Sequence, residues 1–458
     1  MPVKTSLRLT EEQRARLLRH LFPGDAREMV ALALCGTRIG PDHQIYCIQE
    51  VVQDPLNASV LWTNLAVRWD VRGLVPVFEK AIKRGLSILI IHSHPKGYEQ
   101  FSQQDDATDL ELKKTIPANF ERGPCLLSAF MVPDGTIYGR IVGATGFSPV
   151  EQVVVVGDTV SFLHLDSGDH QSDMDLRTRQ AFGDGTTNLL RSLSVGVAGC
   201  SGTGSWVAEL LGRLGVGRLV LVDPDIIERK NLNRIVNSRA TDEGRPKVEV
   251  LSDAVRAVGF GTAIETFAAH LAHEDIVKAL AGCDFLFGCM DSADGRDMLN
   301  RIAAFYLVPY IDVGVRLDAD GLGGIEQICC AIHYLMPGGS SLLSRGVITS
   351  EQVQAEALNR TNPAQYAALR KEGYIKGMAV DRPAVVSVNG FIATHAVNEM
   401  LARLHPFRRD SNEEFRYQVF SLSDGAWLRL PDGPPCKLLA RFAGRGDAQP
   451  LLGNPSLS

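Results

Sequence analysis

The stretch SVGVAGCSGTGSWVAELLGRLGVGRLVLVDPD, residues 194–225, decides how the C-terminal half of this chain folds. Its opening, SVGVAG, is a short apolar run ending in glycine and reads as a buried strand. GCSGTGS then brings Gly199, Gly202 and Gly204 close together, and SWVAELLGRLG carries apolar residues at helical spacing. RLVLVDPD closes the unit as a second apolar run. Strand, tight loop, helix, strand predicts a parallel α/β sheet. The backbone N–H groups of the loop and the start of the helix can receive phosphate.

A glycine loop alone is a weak signal. Asp223, 24 residues after Gly199, stands at the end of the next strand, where an acid accepts bonds from ribose hydroxyls. A dinucleotide-dependent oxidoreductase fits that much equally well. The next segment does not fit it: DPDIIERKNLNRIVNSRATDEGRPK places Asn231, Arg234 and Lys247 in a polar, cationic stretch that would face a triphosphate. Further on, CDFLFGCMDSADGRDMLN brings Asp291 after an apolar strand, a natural place for a carboxylate that binds magnesium. An acid for ribose, two cations for phosphate and an acid for the metal are the kit for attack on the α-phosphate of ATP, where charge must be neutralised as pyrophosphate leaves.

In order and spacing this set resembles the ubiquitin-activating-enzyme superfamily in its compact bacterial form, ThiF and MoeB. Residues 177–400 carry the resemblance, from RTRQAFG through the glycine loop to PAVVSVNGFIATHAVNEML. It implies a Rossmann-like domain with a mainly parallel sheet over 177–440, and nucleotide contacts from Gly199, Gly202 and Gly204. Asp223 would bind ribose, Arg234 and Lys247 the phosphates, and Asp291 magnesium, with Asn231 supporting the phosphate pocket. Arg179 would reach the phosphates of a neighbouring subunit, which implies a homodimer.

The chain also departs from that family. Ser201 stands at the middle of the usual glycine triplet. Many relatives build a zinc knot from two Cys-x-x-Cys pairs. Here Ser341 and Ser344 replace the first pair, and Cys436 faces Leu439 in the second. One thiol cannot make a tetrahedral site, so no structural zinc is expected in this domain. Relatives that form a thioester place its cysteine shortly before the PAVVSVN-like segment, where EGYIKGMAVDR (372–382) has none. Cys329 and Cys330 are the nearby alternatives, and Cys330 is carried as the candidate nucleophile. Their apolar strand argues for buried, inert thiols. The enzyme would then stop at the acyl-adenylate, or hand it to a thiol on another protein.

Upstream lies a second chemical pattern, IHSHPKGYEQFSQQDD, residues 91–106. SILIIHSHP is strand-like, and side chains at i and i+2 share a strand face, so His92 and His94 can meet one metal ion. Zinc suits two imidazoles and needs a third ligand, with a fourth position left open for water in a catalytic site. Asp105 supplies that ligand if Pro95 ends the strand, Lys96–Phe101 form a loop and Ser102 opens a helix. Ser102 with Asp105 also reads as a helix capping box. His-x-His-Pro, six residues, Ser, two residues, Asp resembles the JAMM (MPN-type) metalloisopeptidases, which cleave after the C-terminal glycine of ubiquitin-like proteins. The resemblance implies a cytidine-deaminase-like α+β fold and zinc on His92, His94 and Asp105. Glu28, in REMVALALCG, would take a proton from the attacking water, and Ser102 would help hold the oxyanion.

Around that pattern, helical spacing from Glu11 to Phe22, a strand at 29–35, a helix near 73–84 and an Asp-Gly hairpin at 126–143 fill out an α+β unit over residues 1–150. Residues 151–176 begin as a strand and turn polar, and are expected to be a connector. Residues 441–458 are expected to be a disordered tail. At 458 residues, 45 % hydrophobic and 22 % charged, the chain has two or three folded domains. The net charge of −6 argues against a nucleic-acid partner drawn by bulk electrostatics. No signal-like N-terminus and no membrane-length apolar run are present, so a soluble cytoplasmic protein is expected, and nine scattered cysteines point to reduced thiols.

Together these patterns predict a two-headed enzyme for a ubiquitin-like or sulfur-carrier protein with a C-terminal glycine. One head cuts beside the glycine carboxyl and the other activates that carboxyl with ATP. A conjugating enzyme would be the onward partner, and fused systems of this type imply bacterial antiviral defence. The alternatives are sulfur-carrier activation for cofactor, cysteine or siderophore synthesis, and a binding scaffold with one degenerate head.

Overall fold

Successive residues of a strand face opposite sides of a sheet, and along Val30–Ile39 both sides are covered. Ala31, Ala33 and Cys35 pack in one apolar cluster with Leu17 and Leu21, while Leu32 and Leu34 pack in another with Phe78, Ala81 and Leu112. The computed structural model that shows this describes residues 4–24, 27–41, 43–52, 61–63, 66–68, 71–115, 125–164, 172–372, 383–454 and 457.

The N-terminal half runs β1 (Lys4–Thr10), α1 (Glu11–Leu21), β2 (Val30–Ile39), β3 (His43–Val52), β4 (Leu61–Thr63), β5 (Ala66–Arg68), α2 (Val71–Arg84), β6 (Ser87–Ser93) and α3 (Gln103–Thr115). It continues with β7 (Leu126–Met131), β8 (Ile137–Val142), β9 (Phe147–Val150), β10 (Gln152–Val156) and β11 (Val160–Leu163). Its mixed sheet has the order β11-β10-β1-β3-β2-β6-β7-β8-β9, with α1 against one face and α2 and α3 against the other. Two expectations change here. Residues 151–176 are not simply a connector: β10 pairs in parallel with β1, and its four valines are buried. Of that segment, residues 165–171 lie outside the described residues.

The C-terminal half runs α4 (Leu176–Ser192), β12 (Ser194–Ala198), α5 (Gly202–Arg213), β13 (Arg218–Val222), α6 (Lys247–Val258), β14 (Ala263–Phe267), α7 (Glu274–Ala281), β15 (Phe285–Gly288) and α8 (Ala293–Tyr306). Then come β16 (Tyr310–Ala319), β17 (Ile325–Leu335), α9 (Ser350–Thr361), α10 (Pro363–Lys371), α11 (Val386–Leu404), β18 (Tyr417–Ser421) and β19 (Ala426–Arg429). The sheet order is β14-β13-β12-β15-β16-β17-β18-β19, parallel from β14 to β16 and antiparallel beyond. Strand order reverses between β12 and β15, where an open parallel sheet forms a crevice at its carboxyl edge. Both halves are therefore mixed α/β, and the C-terminal one is Rossmann-like.

The expected disordered tail is the second change. Gly36 N–H donates to Gly444 O, Asp447 N–H to Thr37 O, and Gly446 N–H to Phe305 O, so this segment straps β2 to the end of α8. Leu451 and Leu452 are buried against the C-terminal core. Beside the strap, Arg8 is 1 % exposed and donates to the carbonyls of Ala281, Cys283 and Tyr306. Two of these end α7 and α8, where the helix dipole favours a cation. Among the described residues no helix is long and apolar enough to cross a membrane.

A second seam forms at the β10–β11 turn. Asp158 accepts from Arg403 Nη1 at 2.9 Å and from Arg416 Nε at 2.8 Å, and Arg403 is fully buried. Asp158→Ala is expected to cost about 3 kcal/mol, the low end for breaking a buried ion pair, since Arg403 keeps Glu399 at 2.6 Å. Chemical denaturation followed at both halves checks this. A midpoint unchanged from wild type would rule the seam out as a stabilising contact.

Candidate active sites

Because β12 ends on the switch crevice, the loop after it must turn sharply into α5. Gly199 does so at φ +88°, and a Cβ there would lie 2.6 Å from Cys289 O. A Cβ on Gly204 would lie 1.7 Å from Gly199 O, and one on Gly202 would lie 2.2 Å from Asn389 Nδ2. Backbone contact thus requires glycine at 199 and 204, while Gly202 leaves room for the Asn389 amide, and the loop backbone stays open to a close ligand. Ser201 is the N-cap of α5 and makes no side-chain cap bond.

Asp223, just after β13, is 5 % exposed. Its Oδ2 accepts from Cys200 N–H at 2.6 Å and its Oδ1 from Asp225 N–H at 2.9 Å, so the residue expected on ribose also fixes the glycine loop. Burial raises its carboxyl above the usual range, opposed first by Lys247. Lys247 opens α6, 5 % exposed, with Nζ 2.7 Å from Asp225 and 3.6 Å from Asp223. Asn231 Oδ1 caps Glu228 N–H at 3.0 Å, and Arg234 Nη1 donates to Lys230 O at 3.3 Å. Ser205 Oγ accepts from Val236 N–H, holding this cationic segment against α5.

Across the crevice, Asp291 follows β15 and is exposed. Arg296, in the first turn of α8, lies 3.2 Å from Asp312, which is fully buried and accepts from Tyr310 Oη at 2.7 Å. From α9, Glu356 accepts from Asp294 N–H and Arg360 pairs with Asp294, closing this side. The crevice therefore collects a helix N-terminus, Lys247, Asp223 and Asp291 around the carboxyl edges of β12, β13 and β15, while Arg234 is held by its own turn. Asp225, Asp312 and Asn389 were not predicted for it. Asn389 stands inside the PAVVSVNGF run that carries part of the resemblance, whereas nothing local distinguishes Asp312.

Two further candidate residues are held within the fold of the chain itself. Cys330 is 2 % exposed on β17, and burial pushes its thiol up to about 12, away from the thiolate that a nucleophile needs. Arg179 Nε lies 2.8 Å from Asp175 of its own chain, and its Nη2 donates to Ser172 O. Where a zinc knot would need thiols, Ser341 and Ser344 cap each other's backbone N–H groups. Of the segment 372–382, residues 373–382 lie outside the described residues.

In the other half, β6 pairs His92 with Val30 of β2 and with Phe130 of β7, which sets the histidines at the centre of the sheet. Among the described residues, donor atoms of His92, His94 and Asp105 lie within 4.8 Å of one another. The two Nε2 atoms are 3.0 Å apart, and Asp105 is 3.4 Å from His92 and 3.8 Å from His94. Ligands about 2.0–2.1 Å from a tetrahedral zinc stand about 3.3 Å apart, so the donor set fits that ion. His94 Nδ1 lies 2.7 Å from Tyr98 O, which must accept its proton and leaves Nε2 as a lone-pair donor. Burial lowers His92 and keeps it neutral.

The capping-box reading of Ser102 is the one its hydrogen bonds show. Asp105 Oδ2 accepts from Ser102 N–H at 2.7 Å and from its hydroxyl at 2.8 Å, while Ser102 Oγ accepts from Asp105 N–H, so the cap that starts α3 also orients the carboxylate. Glu28 precedes β2 at the rim. Burial raises its carboxyl, His94 and Lys96 oppose the rise, and Asp105 adds to it. Ser93, buried between the histidines, accepts from Met29 N–H at 2.8 Å and so ties the residue after Glu28 to the histidine strand.

The profile of the ThiF family matches residues 175–434, more than half of the sequence. The chain belongs to the ThiF family. SAMP-activating enzyme E1 of Haloferax volcanii is 33 % identical over 128 residues, 28 % of this chain and 47 % of that protein. Ubiquitin-like modifier-activating enzyme 5 of Arabidopsis thaliana is 25 % identical over 209 residues, 42 % of this chain and 46 % of that protein. The chain thus spans about half the length of the curated relatives it matches. Among solved structures, E. coli MccB with MccA-N7isoASN aligns over 60 % of this chain and 76 % of that chain, at 16 % identity and a TM-score of 0.46. The ThiF match begins after the nine-stranded sheet ends, so the histidine cluster lies outside it.

Proposed function

We propose that this ThiF-family chain acts twice on the C-terminal glycine of a ubiquitin-like or sulfur-carrier protein. The crevice half adenylates the glycine carboxylate, and the N-terminal half hydrolyses the bond after that glycine. The observation that carries this reading is the convergence of His92, His94 and Asp105, with Glu28 beside them, in a chain whose other half is ThiF.

In adenylation a carboxylate oxygen of the carrier bonds to the α-phosphorus of ATP and the bond to the β-phosphate oxygen breaks, releasing pyrophosphate. Lys247 and Arg234 offset the charge on the departing phosphates, and the start of α5 donates backbone N–H groups to them. Asp223 receives ribose hydroxyls, and Asp291 would hold magnesium, whose charge further neutralises the phosphates. With Cys330 buried, the acyl-adenylate passes to a nucleophile on another protein, such as a conjugating enzyme or a sulfur donor. In a homodimer Arg179 would serve a neighbouring subunit on leaving Asp175.

For hydrolysis, His92, His94 and Asp105 would hold zinc, which supplies Lewis-acid polarisation of the scissile carbonyl and a more acidic water. Glu28 accepts the proton of the attacking water and returns it to the leaving amine. Ser102 hydroxyl, at the rim of the cluster, would donate toward the developing oxyanion on turning away from Asp105 Oδ2.

The test has two arms on the full chain. ATP–pyrophosphate exchange is expected to require both magnesium and a carrier ending in glycine, and purified protein is expected to hold one zinc per chain that His92→Ala removes. No exchange with any carrier encoded beside this chain would overturn the first assignment. A zinc content near zero would overturn the second.

A further inference from the structure

Three carboxylates crowd the first two turns of α3: Asp105, Asp106 and Asp109. Only one of them faces the histidines, and the reason lies on β8. Arg140 is 6 % exposed, with its guanidinium 3.7 Å from the ring centroids of both Phe101 and Phe147. Held between two rings, it has no freedom to swing. It donates through Nη1 to Asp106 at 2.5 Å, and through Nε and Nη2 to Asp109 at 3.0 and 2.6 Å. Phe101 also packs edge-on against Phe130, which stacks on His94 at 4.1 Å, so the clamp and the histidines share one aromatic layer.

We infer that Arg140 is a positioning residue of the metal cluster: it takes Asp106 and Asp109 out of competition and fixes the start of α3 so that Asp105 alone reaches His92 and His94. The inference rests on the zinc reading proposed above. A guanidinium suits the task because its planar fork serves two carboxylates at once and stacks on aromatic faces, which an ammonium does not. Remove it, and two uncompensated carboxylates stand beside Asp105 on a helix end no longer tied to β8. A divalent ion would then recruit them.

Zinc titration and cobalt(II) substitution of the full chain test this. Wild type is expected to give the intense visible absorption of four-coordinate cobalt. Arg140→Met is expected to bind zinc about 10–100-fold more weakly, the usual effect of losing an outer-shell partner, and to show a weakened cobalt band as coordination expands. Arg140→Lys, which keeps charge without the fork, is expected to fall between them, and carries the comparison where the methionine variant does not fold. Leu17→Ala, which empties a core position on the opposite face of the sheet, is expected to lower Tm and leave the band unchanged. An Arg140→Met protein with wild-type zinc affinity and a wild-type band overturns the inference. A wild type that binds neither ion stoichiometrically overturns the zinc reading and this inference with it, so the two failures are distinct.

Discussion

Glu28→Gln is expected to lower cleavage of a carrier extended beyond its C-terminal glycine by about 10²–10⁴-fold, the range for loss of a positioned general base. The zinc content should stay at the wild-type level. Glu28 is not among the three converging donors, and the amide is nearly isosteric with the carboxylate, so neither ligation nor packing changes. The capacity to take a proton at the rim of the cluster is lost. Ser93 holds the backbone of Met29 to β6, so the residue at position 28 stays beside His94 whichever side chain it bears. The measurement is a full time course with metal analysis on the same sample. Undiminished cleavage by a zinc-loaded Glu28→Gln protein would remove Glu28 from the reaction. Lost zinc would instead make Glu28 a contributor to the site's architecture.

The histidine cluster was legible because its geometry is local. Two histidines at i and i+2 on a strand, a proline to end it and a serine–aspartate cap to start a helix fix the approach of three side chains within one short stretch of chain. The glycine loop was legible as a strand–turn–helix, and the Gly204 limit against Gly199 O lies within that unit, whereas Gly199 and Gly202 are limited by Cys289 and Asn389 from distant parts of the chain. Arg140 was not legible, since nothing around YGRIV says that its side chain crosses to α3, and its role exists only once β8 lies beside β7. The partner of β10 is β1, at the other end of the half-chain, and such pairing leaves no periodicity in the sequence that could announce it. Local reading went furthest astray at 441–458. Gly, Pro and Asp there suggest disorder by composition, yet Gly444 and Gly446 bond the ends of α8 and the edge of β2 through their backbones. Backbone hydrogen bonds are indifferent to the side chains by which composition is judged. Cys330 was legible as a buried thiol, because the apolar run around it marks an interior strand, and β17 does bury it.

Lys247→Ala is expected to slow ATP–pyrophosphate exchange by about 10²–10³-fold, mostly in kcat, as when one preorganised donor to developing charge is lost. In the proposed chemistry the lysine does more than face phosphate. It lies in a slot with Asp223 and Asp225, and is the foremost influence opposing the rise that burial imposes on the Asp223 carboxyl. With the ammonium gone, that carboxyl titrates at a still higher pH, and protonated Asp223 is a poorer acceptor for ribose hydroxyls. The acid limb of the exchange profile should therefore move to higher pH. Stability follows the same sign. A carboxyl raised in the folded state makes folding more favourable at low pH, and that contribution is lost as pH rises through the raised value. The alanine variant should thus lose more stability than wild type between acidic and neutral pH. A slowed variant whose acid limb stays in place would leave Lys247 as a phosphate ligand alone. A moved limb at full rate would leave it as the keeper of Asp223. The proposed chemistry requires both shifts together, because the cation that receives pyrophosphate is the one that keeps the ribose acid ionised.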